Sequence, residues 1–252
     1  MNKNGLTQKK ISLRQIIPLL LIFIVAAGLV FSICSQTGFM DQFKTGNHFQ
    51  VLSNDEDVHF TAGTSFIYET QLLRVRSVEK WVTPIKIRYE GNPTNEDIEI
   101  LNKIIKDFNK INGFPGMKIV DKDENVLLIF APKEAMPEIQ QQYNLGEIDK
   151  GICQRFSERG EIKRAIIVIE SDVDQDYKNS VLLHEIFHMV GFYGHVYDNT
   201  SILNRDSEPV FGASGIDTLA LKMLYNPEIA VGMSYLEMIN YYQDKEIAEF
   251  LK

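Results

Sequence analysis

The longest uncharged apolar stretch lies close to the start of the chain. Ile16 to Cys34 (IIPLLLIFIVAAGLVFSIC) carries no charge over 19 residues, and about 20 apolar residues cross a bilayer as a helix. Lys3, Lys9, Lys10 and Arg14 are the only charged side chains ahead of it. A basic flank on that side keeps the start in the cytoplasm and sends the downstream chain outward. The run exceeds the roughly 7–15 residues of a secretory apolar region. An uncleaved signal anchor is therefore expected over residues 16–35, behind a cytoplasmic basic tail over 1–15. A cleaved signal peptide is the alternative, and either one exports the remainder.

Residues 36–80 mix polar and apolar positions without a clear period. Asn54-Asp55-Glu56-Asp57 is turn-prone, and Phe60 to Val78 reads as one or two short strands. This segment is expected to be a juxtamembrane stalk or small extension, with the main domain over 81–252. From Trp81 the pattern sharpens. Ile85 to Tyr89 alternates as a strand does. Pro93 to Asp97 looks like a helix start, and Ile98, Leu101, Ile104, Ile105 and Phe108 follow at helical spacing, with Asn112-Gly113 as the stop. Met117–Val120 and Val126–Phe130 read as strands, and Pro132–Tyr143 as a short helix or loop. Gly151–Phe156 and Ile162–Glu170 read as a strand pair turning at Arg159-Gly160. Helices are expected over Val181–Val190, from Ser214 or Asp217 to Tyr225, and over Ser234–Leu251. Strands and helices in this order give an α+β fold, with helices packed on one mixed sheet.

Composition narrows the functional classes. A net charge of −8 argues against nucleic acid as a partner, because phosphate binding needs a basic surface. Cys34 and Cys153 are the only cysteines, and Cys34 closes the membrane run, so no disulfide framework is expected.

The chemistry concentrates at His184-Glu185-Ile186-Phe187-His188. Positions i and i+4 of a helix share a face, so two imidazoles can meet one metal ion. Glu185 stands beside that pair, where a general base reaches a metal-activated water. Three of the five histidines fall between 184 and 195. The surrounding residues are apolar nearly all round, as in a buried helix. Two imidazoles and a carboxylate buried there need partners.

With Gly191, this motif resembles the opening of the metzincin signature, H-E-x-x-H-x-x-G-x-x-H. The resemblance implies a zincin-like mixed twisted sheet with the motif on an active-site helix. It also implies a zinc ion and cleavage of peptide bonds by a zinc-activated water, with Glu185 as general base. The third ligand of the family falls at Gly194 here, one residue before His195. The implied metal ligands are His184, His188 and His195, with Asp198 the first alternative and Asp206 or Glu208 the next. Ser201-Ile202-Leu203 resembles the Met-turn, with leucine in place of methionine. Arg205 stands where some members carry a tyrosine. Asp217 to Tyr225 resembles the closing helix. Trp81 to Leu236 also resembles an exported bacterial domain family of unknown function. The chain is thus expected to be a membrane-anchored, outward-facing metallopeptidase acting on a peptide or protein. The competing expectation is a non-catalytic exported binding or sensor module with a structural or degenerate metal site.

Overall fold

A computed structural model describes residues 49–54, 60–205 and 210–243. The expected basic tail and anchor, and the start of the expected stalk, lie outside the described residues, as do Asp206 and Glu208. No helix among the described residues is long and apolar enough to cross a membrane.

Five strands form one mixed sheet: β1 (Ile85–Gly91), β2 (Met117–Ile119), β3 (Val126–Ala131), β4 (Gly151–Glu158) and β5 (Glu161–Glu170), in the order β2-β1-β3-β5-β4. All neighbours are parallel except β4, which pairs antiparallel with β5 at one edge. Arg159 and Gly160 join that pair, with φ of 53° and 82°. Positive φ at both turn residues suits the right-handed twist of a hairpin. β3 and β5 are apolar along most of their length because both faces are covered.

Six α-helices accompany the sheet among the described residues: α1 (Phe60–Ile67), α2 (Asn95–Phe108), α3 (Met136–Tyr143), α4 (Gln175–Val190), α5 (Gly215–Tyr225) and α6 (Tyr235–Gln243). α2, α4 and α5 contribute to the larger apolar core, which includes Ile85, Leu128, Ile167, Ile186 and Leu221. α3 covers the other sheet face, through Met136 against Ile129, Ile166 and Val168. α2 begins with a capping box between Thr94 and Asp97, and Asp97 forms a buried ion pair with Lys178 of α4 at 3.2 Å.

The strands expected over Phe60–Val78 are a helix instead. α1 runs on through a π-turn (Tyr68–Leu72) into a last α-turn (Leu73–Val75). Gly63, Phe66, Ile67, Thr70 and Gln71 are buried, and that spacing is helical. The aromatic and β-branched residues of the segment favour a strand locally, and packing overrides them. Gly63 permits a close approach to α5, since a Cβ there would stand 2.5 Å from Met223 Sδ. Val51, Phe66, Ile67 and Val78 lie in the same core as Trp81 and the residues beyond, and the described residues fall in one compact unit. α4 also starts six residues before the expected Val181, because Asp174 caps it there.

Candidate metal centre

α4 carries the motif. His184 and His188 sit one turn apart on it, with ring centroids separated by 4.6 Å. Each ring is fixed through Nδ1: that of His184 lies 2.6 Å from the Ile202 carbonyl, and that of His188 lies 2.6 Å from the Phe192 carbonyl. A carbonyl can only accept, so both Nδ1 atoms carry the proton and both Nε2 atoms present a lone pair. Backbone carbonyls in this position also orient metal-binding imidazoles.

His195 completes the group. Its Nε2 lies 3.1 Å from Nε2 of His184 and 3.3 Å from Nε2 of His188. A tetrahedral site with metal–nitrogen bonds of about 2.0–2.1 Å has ligand atoms about 3.3 Å apart. The three nitrogens could therefore hold one cation, and an all-imidazole set suits a borderline ion such as zinc. Burial pushes His184 down to about 4, reinforced by His195, and holds His188 well below the usual histidine range, reinforced by His184 and His195. Both favour the neutral form, which is the ligating one.

The chain reaches His195 through a glycine turn. Gly191 has φ 142°, and a Cβ there would lie 2.9 Å from Leu224 Cδ2 and 3.0 Å from the Glu79 carbonyl. The π-turn after α1 then holds the departing strand of chain. The Thr70 carbonyl accepts the N–H groups of Tyr193 at 2.5 Å and Gly194 at 2.7 Å. A second turn, Ser201–Leu203, supports the His184 ring through the Ile202 carbonyl. Val196 and Leu203 pair through a 2.9 Å backbone bond. The Asp217 carboxylate accepts the Ser201 hydroxyl at 2.6 Å and the Ile202 N–H at 2.8 Å. Asp217 thus sets the carbonyl that orients His184. Leu203 is fully buried there.

The carbonyl end of α4 meets four side chains from elsewhere in the chain. Arg155 donates to the His188 carbonyl, Trp81 Nε1 to Met189 at 2.9 Å, Tyr225 to Val190 at 2.7 Å, and Gln71 to Gly191 at 2.7 Å. The last carbonyls of a helix lack intrahelical partners, so these bonds hold the end that turns toward His195.

Glu185 is wedged between α4 and the start of β4. A Cβ on Gly151 would stand 2.9 Å from Glu185 Oε1 and 2.6 Å from Val181 Cγ1. Glu185 Oε2 is buried and has no hydrogen-bond partner among the described residues, and burial pushes the carboxyl up to about 8. A native protein leaves few such atoms unsatisfied without a reason in ligand binding or catalysis. A cation at the histidines would favour the carboxylate form.

The three histidines and Glu185 line one cleft of about 380 Å³ with Lys150, Cys153, Arg155, Tyr193, Asn204 and Arg205 among its walls. Asp198 is not among the clustered metal-binding groups; its carboxylate accepts the Thr200 N–H and hydroxyl at 2.9 and 2.7 Å. Tyr197 is exposed, under the Arg205 guanidinium, whereas Tyr193 lies against Arg155 in the cleft wall. Arg155, Gly151, Gln71 and Asp217 went unassigned in the motif. All lie far from it in sequence, and only Asp217, the third residue of α5 in a capping box with Ser214, carries a local signal.

A family model described as "Protein of unknown function (DUF2927)" matches residues 60–244. No curated protein matches the chain.

Proposed function

The chain belongs to the DUF2927 family of proteins of unknown function, and we propose that it is a zinc-dependent peptidase of zincin type with a metzincin-like centre. One observation carries the reading: three imidazole Nε2 atoms converge beside a buried carboxylate oxygen that has no partner among the described residues, inside one cleft. A sheet edged by an antiparallel strand along the motif helix, and a glycine turn leading to the third histidine, also support it.

His184, His188 and His195 would hold the metal, leaving room for a further ligand from the cleft. Zinc, when bound, supplies a Lewis acid that activates water and polarises a carbonyl. Glu185 takes the proton of the attacking water on its carboxylate and passes it to the leaving amine. The Ile202 and Phe192 carbonyls keep the ligating nitrogens free of protons. Gly151 leaves space for the carboxylate to work. The apolar run at 16–34 supports a single-pass anchor that holds the domain on the outer side of the membrane.

The test is Glu185→Gln in the full-length protein. Zinc measured by mass spectrometry should stay near one per chain, while peptide cleavage falls at least about 100-fold, the usual contribution of a general base. Full activity in the variant, or a zinc-loaded wild type that cleaves no peptide, would reject the reading. A metal bound by four protein groups would support a structural module instead.

A further inference from the structure

Arg155 is a charged group that the hydrolytic mechanism does not use. It lies on β4, the edge strand of the sheet, and lines the cleft. Gly151 of the same strand abuts Glu185, and Arg155, four residues on, reaches the His188 carbonyl. The guanidinium carbon sits 3.4 Å from the centre of the Tyr193 ring, a cation–π contact. Desolvation holds its pKa below the usual arginine value, yet it remains a cation at any working pH.

That cation forms no ion pair with any described residue. Glu79, a carboxylate acting on it, already accepts the hydroxyls of Tyr193 and Ser157. The end of α4 offers only the partial negative charge of its carbonyls. A guanidinium withdrawn from water is costly unless an anion meets it. Lys150 and Arg205 add two more cations to the same cleft, against Asp149 and Glu185, although the whole chain is acidic at −8. Lys150 is tied to Glu170 at 3.1 Å, which leaves Arg155 as the part-buried cation of the cleft wall with no carboxylate in contact among the described residues.

We infer that Arg155 binds a carboxylate of the peptide substrate, on the His188 side of the metal centre, and so makes the cleft selective for anionic peptides. The inference rests on the peptidase reading. An arginine has five N–H donors, and its planar fork accepts a carboxylate through two parallel bonds. Only one donor is committed to the His188 carbonyl. The carboxylate can come from an acidic side chain or from a chain end, and both present the same two oxygens.

Binding tests this without turnover. Full-length protein carrying Glu185→Gln, as purified, is titrated calorimetrically with three hexapeptides. The first is blocked at both ends and contains one glutamate. The second replaces that residue by glutamine. The third is the glutamine peptide with a free C-terminal carboxylate. The expected result is about tenfold tighter binding of one or both anionic peptides than of the neutral one, near the value of a charge-assisted hydrogen bond. Adding Arg155→Gln should abolish the preference. The anionic peptide that shows it identifies the source of the carboxylate. Equal binding of all three peptides, a preference that survives Arg155→Gln, or a uniform loss of affinity would each overturn the proposal. If Arg155→Gln does not fold, Arg155→Lys keeps the charge without the fork. Its preference should then fall to about threefold, and an unchanged preference overturns the inference. Because nothing is cleaved, failure of hydrolysis leaves this experiment standing.

Discussion

At the scale of single residues, the site depends on what surrounds each titratable group. Glu185 would be an ordinary surface carboxylate on an exposed helix. Burial against β4, with one oxygen unpartnered among the described residues, pushes its carboxyl up to about 8. The neighbour that permits this is Gly151, where even a methyl group would meet Glu185 and Val181 at under 3 Å. Gly151→Ala should therefore cost about 1–3 kcal/mol by overpacking, seen in urea unfolding. If the proposed peptidase reading holds, it should also lower peptide cleavage while zinc stays bound, because the added methyl meets Glu185 and Val181 rather than a histidine. Unchanged stability and activity together would show that the strand yields freely. The histidines make the same point in reverse: the motif spacing foretold His184 and His188, but the proton on each Nδ1 is set by Ile202 and Phe192, carbonyls that no spacing rule names.

At the scale of elements, the decisive feature is the carbonyl end of α4. Trp81, Tyr225, Arg155 and Gln71 come from four parts of the chain and bond four successive carbonyls, His188 to Gly191. The turn that follows needs φ 142° at Gly191 in a space already closed by Leu224 and Glu79. Gly191→Ala is expected to destabilise the fold by about 2 kcal/mol or more, from backbone strain and crowding together. Zinc affinity should fall with it, since the displaced segment carries His195. Chelator competition checks the second effect, and zinc affinity equal to wild type would disconnect the turn from the metal. The π-turn after α1 was invisible in the sequence. Its use lies in one freed carbonyl, that of Thr70, which takes two N–H groups from the segment before His195.

At the scale of the whole molecule, Lys80 shows how distant parts are tied. Its backbone pairs with Gly160 and Ile162 at the hairpin, each at 3.1 Å. Its ammonium donates to the Leu224 carbonyl near the end of α5 at 3.1 Å. Burial lowers its pKa from 10.5 to about 8. Between those values the unfolded chain binds more protons than the folded one. This residue therefore adds stability as pH rises through that window and adds none of it below about pH 8. Urea unfolding at pH 7.5 and pH 10 should show the wild type gaining on Lys80→Met as pH rises. A difference between the two that is the same at both pH values would rule out this coupling.

The sequence alone determined the α+β class, most strands of the sheet and the three residues His184, Glu185 and His188, because these are local patterns: periods of two and 3.6 residues, caps, and a motif within one helix. It also singled out His195 against the register of the family signature, and the three rings do converge. Zinc and peptidase activity remain the proposal built on that convergence. Only the tertiary structure decided that residues 60–75 are helical, because their burial depends on contact with α5. It alone brought Arg155, Gly151, Gln71 and Asp217 to the centre, since the first two arrive by sheet pairing and the others on helical segments packed from far along the chain. Local patterns record what neighbours along the chain do. A cleft records which distant segments share a core, and that is settled only when the whole sheet is assembled.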